Sequence, residues 1–332
     1  MVGPSWVGDM VMAQSLFRVL KTRQPPPAID VLAPAWSQPL LARMPEVRRS
    51  IPSSVGRGEL KLGIRYRLGR SLRSGNYRQA IVLPNSFKSA LIPFWASIPL
   101  RTGYLGEFRY GLLNDARTLN KTALPMTVQR FVALGSPVNK PLPEPLPFPE
   151  LIVRQTDVDS ALQRLQLTRP GQPLLILCPG AEYGEAKRWP PGYFAEVARD
   201  RIAAGWKVWI LGSQNDAAAA AEVDAATGKG CVNLAGKTRL EEAIDLMSLA
   251  TAVVTNDSGL MHVAAALQRP LIAIFGSSSP DFTPPLSDHA TVLTLRLECS
   301  PCFERECPLG HLKCLRDLEP ERVLRKLETL ID

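Results

Sequence analysis

The sequence predicts an α/β protein made of two Rossmann-like domains, each a doubly wound parallel sheet. Three observations support this prediction. The 332-residue chain is too long for one ordinary core and suits two domains. Its second half alternates short apolar strands with helices, the order that builds parallel sheets. Residues 136–150, SPVNKPLPEPLPFPE, carry six prolines and cannot form a helix or a central strand, which predicts a linker.

The first half contains the less regular set of predicted elements. Its strands are IDVLAP (29–34) and QAIVLPN (79–85), and its helices lie around residues 10–22, 37–43 and 60–74. The stretch GPSWVGDM, residues 3–10, is predicted to be the first strand-to-helix loop. Only Met1 and Val2 remain for the strand before it, so we expect the natural start to lie several residues upstream.

The second half is regular. Its predicted strands are PLLILC (173–178), KVWILG (207–212), AVVTN (252–256), PLIAIFG (270–276) and ATVLTL (290–295). Its predicted helices are FAEVARDRIAA (194–204), residues 216–226, LEEAIDLMSLA (240–250) and HVAAAL (262–267). We place the domains at 1–145 and 146–332, with the C-terminal helix a candidate for packing back on the first. Ligands of such folds bind at the carboxyl ends of the strands, and a cleft between the domains is the expected active site.

Composition excludes several classes of protein. Hydrophobic residues make up 45% and charged residues 21%, a globular composition. The most apolar stretch, SALIPFWASIPL (89–100), is short and interrupted by Pro93 and Pro99, so no membrane span is predicted. The N-terminus has no signal-peptide pattern, and we expect a cytosolic protein.

Charge is distributed unevenly between the halves. Residues 1–150 contain 20 Lys and Arg against 8 Asp and Glu, a net of +12, whereas the remainder has 19 against 23, a net of −4. The first half is therefore expected to meet an anionic partner: nucleic acid, a membrane surface or a phosphorylated substrate. Nothing resembles a zinc-finger, RRM or homeodomain pattern, so nucleic acid is the least favoured.

Asp9 ends the loop GPSWVGDM just before an amphipathic run. A capping aspartate is one interpretation. The other is a general base toward an alcohol, because Gly3 and Gly8 permit close backbone approach where α/β proteins place ligands. The glycine spacing is not G-x-G-x-x-G, so no dinucleotide fingerprint is present.

Two segments of the second half point to a phosphate. NDSGLMHVAAAL (256–267) opens a helix after a strand. Its first-turn amides, at Ser258, Gly259, Leu260 and Met261, and the helix dipole favour an anion, and Asp257 and His262 flank these residues. CPGAEYGEAKRWP (178–190) combines flexible backbone at Gly180 and Gly184 with the cations Lys187 and Arg188, which suits a diphosphate leaving group. Taken singly, they could be an ordinary helix cap and a solvated basic loop. Both follow strands of one sheet, which favours a shared site.

Basic and aromatic residues alternate in the first half. Residues 84–114 mix Lys88, Arg101 and Arg109 with aromatic side chains that include Phe87, Trp95, Tyr104 and Phe108. Residues 43–78 hold ten Lys or Arg against two Glu. One interpretation is a solvated helix face. The other is a platform for an anionic acceptor at a membrane surface.

Four of the six cysteines cluster as Cys299-x2-Cys302-x4-Cys307-x6-Cys314. A reducing cytosol disfavours disulfides. A thiolate metal site and free surface thiols both remain open, but only the first spacing is typical of metal sites, and we assign no metal.

Six segments together resemble the ADP-heptose:lipopolysaccharide heptosyltransferases of glycosyltransferase family 9, over nearly the whole chain. They are GPSWVGDMVMAQSL, LPNSFKSAL, RTGYLGEFRYGLLND, CPGAEYGEAKRWP, TNDSGLMHVAAAL and SSPDFTPPLS. The resemblance implies a GT-B fold, with two Rossmann-like domains facing across a cleft, donor held by the second and acceptor by the first. It implies transfer of L-glycero-D-manno-heptose from ADP-heptose to the first heptose of the lipopolysaccharide inner core, with inversion.

The resemblance also assigns roles to residues. Asp9 matches the base, Lys187 the diphosphate-binding lysine, and 257–262 the donor-binding turn, in which Asp257 contacts the sugar. Gly180 joins the donor set, and Asp216 stands where an acidic residue would hold the ribose. The expected acceptor-binding residues are Asn85, Ser86, Lys88, Arg101 and Arg109. No metal or cofactor is required by this chemistry, and the Cys299–Cys314 cluster has no family role.

Three alternatives remain. A family member that acts one sugar earlier, on Kdo, is the first. A nucleotide-sugar epimerase of the same two-domain fold and a non-catalytic nucleotide-sugar binder are the others. The leading interpretation predicts a lipopolysaccharide acceptor at the inner face of the cytoplasmic membrane, a cytoplasmic enzyme peripheral to that membrane, and no nucleic-acid partner.

Overall fold

The computed structural model describes residues 1–56 and 58–331. Two compact units make up the chain, Met1–Pro149 and Glu150–Asp332. The boundary falls inside the proline-rich segment 136–150, which forms neither helix nor strand. Such a segment lacks the amide donors that regular hydrogen bonding needs.

The first unit is an α/β unit with parallel strands. Its elements are α1 (Val7–Lys21), β1 (Ile29–Pro34), α2 (Gln38–Leu41), β2 (Val47–Ser53), α3 (Leu62–Ser71), β3 (Gln79–Val82), α4 (Phe87–Trp95), β4 (Leu100–Tyr104), β5 (Asp115–Arg117) and α5 (Thr127–Gly135). β1 pairs in parallel with β2, and β3 with β4, which pairs with β5. Val2 joins the two groups, because it bridges in parallel to Leu32 of β1 and to Val82 of β3. A single residue thus takes the place of the expected first strand.

The second unit contains one six-stranded parallel sheet. Its elements are α6 (Gln155–Arg164), β6 (Leu174–Cys178), α7 (Pro191–Ala203), β7 (Lys207–Ile210), α8 (Ala217–Ala226), β8 (Val232–Asn233), α9 (Leu240–Met247), β9 (Ala252–Asn256), α10 (Gly259–Ala266), β10 (Leu271–Ile274), β11 (Ala290–Leu293), α11 (Lys313–Arg316) and α12 (Pro320–Ile331). The strand order is β11-β10-β9-β6-β7-β8. The predicted α/β fold class with parallel sheets is confirmed.

Alternate residues of the central strands build the main core of the second unit. Leu175 and Leu177 of β6 and Val254 of β9 face the same buried cluster as Trp189 and Phe194. The C-terminal helix α12 packs against α7 and β10 in the same unit. Within residues 1–56 and 58–331, no helix is both long enough and apolar enough to cross a bilayer.

Candidate functional site

The loops that follow four strands of the second unit open at one edge of its sheet. β6, β7, β9 and β10 are parallel neighbours, so their carboxyl ends lie side by side. The loops after β6 and β9 are the two segments predicted to bind phosphate. The sheet therefore brings both segments to the same place, as the sequence predicted.

Lys187 and Asp257 form the centre of this edge. The Nζ of Lys187 lies 2.5 Å from Oδ2 of Asp257, and the two side chains are 17% and 6% exposed. The Ser278 hydroxyl, from the loop after β10, donates to the same Oδ2 at 2.5 Å. The ring centroid of Tyr183 lies 5.0 Å from the ammonium. A cation is thus held in place by a carboxylate that is itself fixed by a second donor.

The N-terminus of α10 adds backbone donors beside this pair. Ser258 is the N-cap residue, and no side chain of the described residues caps the helix. The first-turn amides of Gly259, Leu260 and Met261 therefore lie at the positive end of the helix dipole. Together with Lys187 they form a site suited to a phosphate group.

Asn256 fixes the loop that carries Lys187. Its side-chain Nδ2 donates to the carbonyl of Pro179 at 2.7 Å, and its Oδ1 accepts from the amide of Trp189 at 3.0 Å. One buried amide therefore holds both ends of the loop after β6 against the end of β9. Sequence reasoning missed this residue, although it stands in the quoted NDSG segment.

The cysteine-rich segment 299–314 supports the same loop from outside. The Arg305 carbonyl accepts from the amide of Ala186 at 3.0 Å, and the Tyr183 hydroxyl donates to the Phe303 carbonyl at 2.7 Å. A Cβ on Gly184 would meet the Arg305 carbonyl oxygen at 2.3 Å, so only glycine fits there. No signal in the sequence pointed to this support.

The four cysteines of this segment are free thiols. Burial, together with the smaller effect of the charges of Cys299, Cys302 and Cys307, raises the pKa of Cys314 to about 11. Among the residues that the structure describes, no three His, Cys, Asp or Glu side chains are placed to hold a metal ion.

Asp216 and Gly180 lie against each other at this sheet edge. A Cβ on Gly180 would come within 2.1 to 2.5 Å of the Asp216 carboxyl group. Oδ2 of Asp216 accepts from the Ser213 amide at 2.9 Å and from its hydroxyl at 2.7 Å. The buried Oδ1 has no hydrogen-bond partner in the described part of the chain. The carboxylate thus keeps one acceptor oxygen for a further donor.

His262 lies one turn into α10 and is buried. Burial lowers its pKa to about 4; the charge of Asp257 opposes this shift and that of Lys187 reinforces it. The imidazole is therefore neutral at pH 7. Since the folded pKa is depressed, neutral His262 stabilises the fold above pH 6.5, and this contribution is lost as the pH falls through about 4.

We expect the His262 imidazole to titrate near pH 4, because the buried site penalises its charged form. Proton NMR of the three histidines from pH 3.5 to pH 8 would measure this, with His262→Gln identifying the resonance by its loss. A His262 resonance that titrates near 6.5 would contradict the buried, neutral placement.

Asp9 lies in the first turn of α1, and Trp6 is the N-cap residue. The turn before it packs closely: a Cβ on Gly3 would meet the Met10 side chain at 2.7 Å. Asp9 is partly exposed. The preceding loop lines a cavity of about 620 Å³ within the first unit, through Gly3 and Ser5.

This cavity, at the carboxyl ends of β1 and β3, receives two of the predicted acceptor residues. Ser86 and Lys88 line it, together with Leu60 and Arg65 from the start of α3. Asn85 is exposed beside it. The remaining two residues, Arg101 and Arg109, take other positions.

Arg109 is fully buried and braces the surrounding loops. It donates to the Pro84 carbonyl at 2.7 Å, to Asn85 Oδ1 at 3.3 Å and to the carbonyl of Tyr104. Arg101 stands near the amino end of β4, away from the cavity edge, and donates to the Leu112 and Ile98 carbonyls. Both guanidinium groups donate to backbone oxygens, and neither arginine lines the cavity, so Ser86 and Lys88 are the better placed pair.

Comparison with known proteins shows the family of this chain. The model of glycosyltransferase family 9 (heptosyltransferase) matches residues 65–313. Lipopolysaccharide heptosyltransferase 2 of Salmonella typhimurium is 51% identical, over 99% of this chain and 97% of the relative. Lipopolysaccharide heptosyltransferase 2 of Escherichia coli K12 is 49% identical, again over 99% of this chain and 97% of the relative.

Solved structures show the same likeness. The structure of E. coli ADP-heptose LPS heptosyltransferase II superposes with a TM-score of 0.89 at 48% identity, covering 99% of this chain and 97% of the other. A family 9 glycosyltransferase from Veillonella parvula gives a TM-score of 0.86 at 20% identity and supports the fold. The expected GT-B fold class is confirmed, and the chain belongs to glycosyltransferase family 9, the heptosyltransferases.

Proposed function

We propose that this glycosyltransferase moves L-glycero-D-manno-heptose from ADP-heptose to the first heptose of the lipopolysaccharide inner core, with inversion. The observation that carries the proposal is the Lys187–Asp257 pair at the N-terminus of α10. The near full-length identity to lipopolysaccharide heptosyltransferase 2 supports the choice of donor and acceptor.

The donor is proposed to lie along the carboxyl edge of the second sheet. Lys187 and the amides at residues 258–261 receive the diphosphate, while Asp257 and the neutral His262 lie toward the sugar. Gly180 makes room for the Asp216 carboxyl group, whose uncommitted oxygen accepts a ribose hydroxyl. In this arrangement the cation and the amide donors face the anionic diphosphate, and the carboxylates face the hydroxyl groups of the donor.

The reaction is a single displacement. Asp9 removes the proton of the acceptor hydroxyl as its oxygen attacks the anomeric carbon of heptose. The bond between that carbon and the diphosphate oxygen breaks, and ADP departs with the bonding electrons. Lys187 and the α10 amides stabilise the negative charge that develops on the diphosphate. Attack opposite the leaving group inverts the anomeric carbon, as in inverting glycoside cleavage.

The acceptor is proposed to enter the first-unit cavity, where Ser86 and Lys88 meet its anionic inner core. Arg109 acts there as the brace that holds the loop after β3, and Arg101 is not included. The lipid-linked acceptor places this work at the inner face of the cytoplasmic membrane.

An assay of ADP release tests the proposal. ADP-heptose is supplied alone, with a Kdo acceptor, or with a core acceptor that carries one heptose. We expect ADP release only with the heptose-bearing acceptor. Release without acceptor would indicate an epimerase or a hydrolase, and release with Kdo alone would indicate the family member that acts one sugar earlier. No release with any acceptor would reject a transferase.

A further inference from the structure

One face of the first unit exposes apolar and basic side chains together. It is formed by α3, the turn after it and the end of α4, and we call it the α3–α4 face. Its exposed residues are Leu62, Tyr66, Arg67, Arg70, Arg73 and Phe94.

The inner side of α3 fixes which residues point outward. Gly69 packs so closely on α4 that a Cβ would meet the Trp95 Cβ at 2.7 Å. Arg65 is buried, and its guanidinium donates to the carbonyls of Leu60 at 2.7 Å and Lys88 at 3.1 Å. Arg65 and Gly69 stand four residues apart and share one helix side. Leu62, Tyr66, Arg67 and Arg70 lie at other positions around the helix and are exposed.

The aromatic rings of the face are interleaved with guanidinium groups. The Tyr66 and Trp95 rings meet edge-on with centroids 5.6 Å apart. Arg70 donates to the Tyr66 hydroxyl at 3.1 Å, and Arg73 Nε donates to the Trp95 carbonyl at 2.9 Å. On the other side, the Arg101 guanidinium lies 5.6 Å from the centroid of the Phe94 ring. These contacts order the cations beside exposed rings.

The segment that forms this face, between Glu59 and Glu107, carries one sign of charge. Residues 60–106 contain eight basic side chains and no Asp or Glu: Lys61, Arg65, Arg67, Arg70, Arg73, Arg78, Lys88 and Arg101. Of the large apolar side chains exposed in the described part of the chain, ten lie in the first unit and three in the second. A protein surface that binds an anionic membrane has two features. Its aromatic rings and aliphatic side chains enter the headgroup region, and its cations contact lipid phosphates.

We propose that the α3–α4 face docks this protein on an anionic phospholipid bilayer. The inference deepens the proposed function and rests on it for its purpose, because Leu60 and Arg65 at the start of this face also line the proposed acceptor cavity. Docking at this face places the cavity mouth beside the headgroups, where a lipid-linked acceptor is presented.

A vesicle-binding experiment tests this surface. The full chain is sedimented with vesicles of phosphatidylcholine mixed with phosphatidylglycerol, or of phosphatidylcholine alone. Arg67→Glu with Arg70→Glu should weaken binding to the anionic vesicles by at least about tenfold, since each basic residue contributes about a factor of five at such a surface. Arg322→Glu with Arg325→Glu is the matched control. It makes the same charge change at the same spacing on the exposed side of α12.

The outcomes separate docking from catalysis. We expect the control variant to bind as the unaltered chain does, and R67E/R70E to release ADP normally with a delipidated, heptose-bearing acceptor. Thermal unfolding checks that both variants are folded. Unaltered binding by R67E/R70E, equal losses in both variants, or no preference of the unaltered chain for anionic vesicles would each overturn the docking surface. Failure of ADP release in the unaltered chain would reject the proposed function instead.

Discussion

Asp9→Asn is expected to lower the turnover of heptosyl transfer by about 10²- to 10⁴-fold, the range that a positioned general base supplies. Asparagine keeps the shape of the side chain but cannot accept the hydroxyl proton. Donor affinity should stay within about twofold, because the groups proposed to bind the donor lie in the second unit. Initial rates of ADP release and calorimetric titration with ADP-heptose measure the two quantities separately.

Glu144→Gln provides the matched control for this substitution. It also removes one carboxylate charge from the first unit, at an exposed position in the proline-rich segment. It should leave turnover and donor affinity unchanged. If Asp9→Asn turns over within about threefold of the unaltered chain, Asp9 is not the base.

Lys187→Ala is expected to weaken donor binding by about ten- to a hundredfold and to lower turnover by a further 10²-fold or more. The substitution removes the cation proposed to meet the diphosphate. It also leaves the Asp257 carboxylate with the Ser278 hydroxyl as its donor at Oδ2, so an uncompensated negative charge faces the incoming donor. Calorimetry with ADP and with ADP-heptose, beside rates of ADP release, measures both losses.

Two variants sharpen the interpretation of that result. Lys187→Arg keeps a cation and should recover part of the donor affinity. Lys326→Ala removes a cation from the exposed side of α12 and should change nothing. Unchanged donor affinity in Lys187→Ala would show that the diphosphate binds elsewhere.

The second unit was the more predictable half, for a physical reason. Strands buried on both faces are continuous apolar runs, and AVVTN coincides with β9, Ala252–Asn256. The helix after it begins at Gly259, three residues before the predicted start, because the helical backbone follows directly on the N-cap position, Ser258.

Several elements of the first unit were not predicted from the sequence. β2, VRRSIPS, carries two arginines and a proline and has no buried residue, so no apolar period marks it. α4 contains Pro93, which reads as a break in sequence although the helix runs from Phe87 to Trp95. β4 begins on exposed residues. Each of these elements is stabilised by tertiary pairing that local propensity does not reveal.

The site shows the same division. The closeness of Lys187, Asp257 and His262 follows from strand ends that share one sheet edge. The hydrogen bonds of Asn256 to the loop after β6 and of the Arg305 carbonyl to Ala186 join residues that are far apart in the chain. Residue spacing in the sequence therefore could not predict them. Arg109 is the converse case, because a basic residue among aromatics suggests an anion contact, yet its donors meet backbone carbonyls inside the unit.

The structure of the reaction product tests the central claim most directly. The chain is incubated with ADP-heptose and a core acceptor that carries one heptose, and the product is examined by mass spectrometry and NMR. We predict one added heptose, linked to the existing heptose, with the anomeric configuration opposite to that of the donor. A heptose linked to Kdo, a retained configuration, or an altered sugar nucleotide with no transfer would contradict the account.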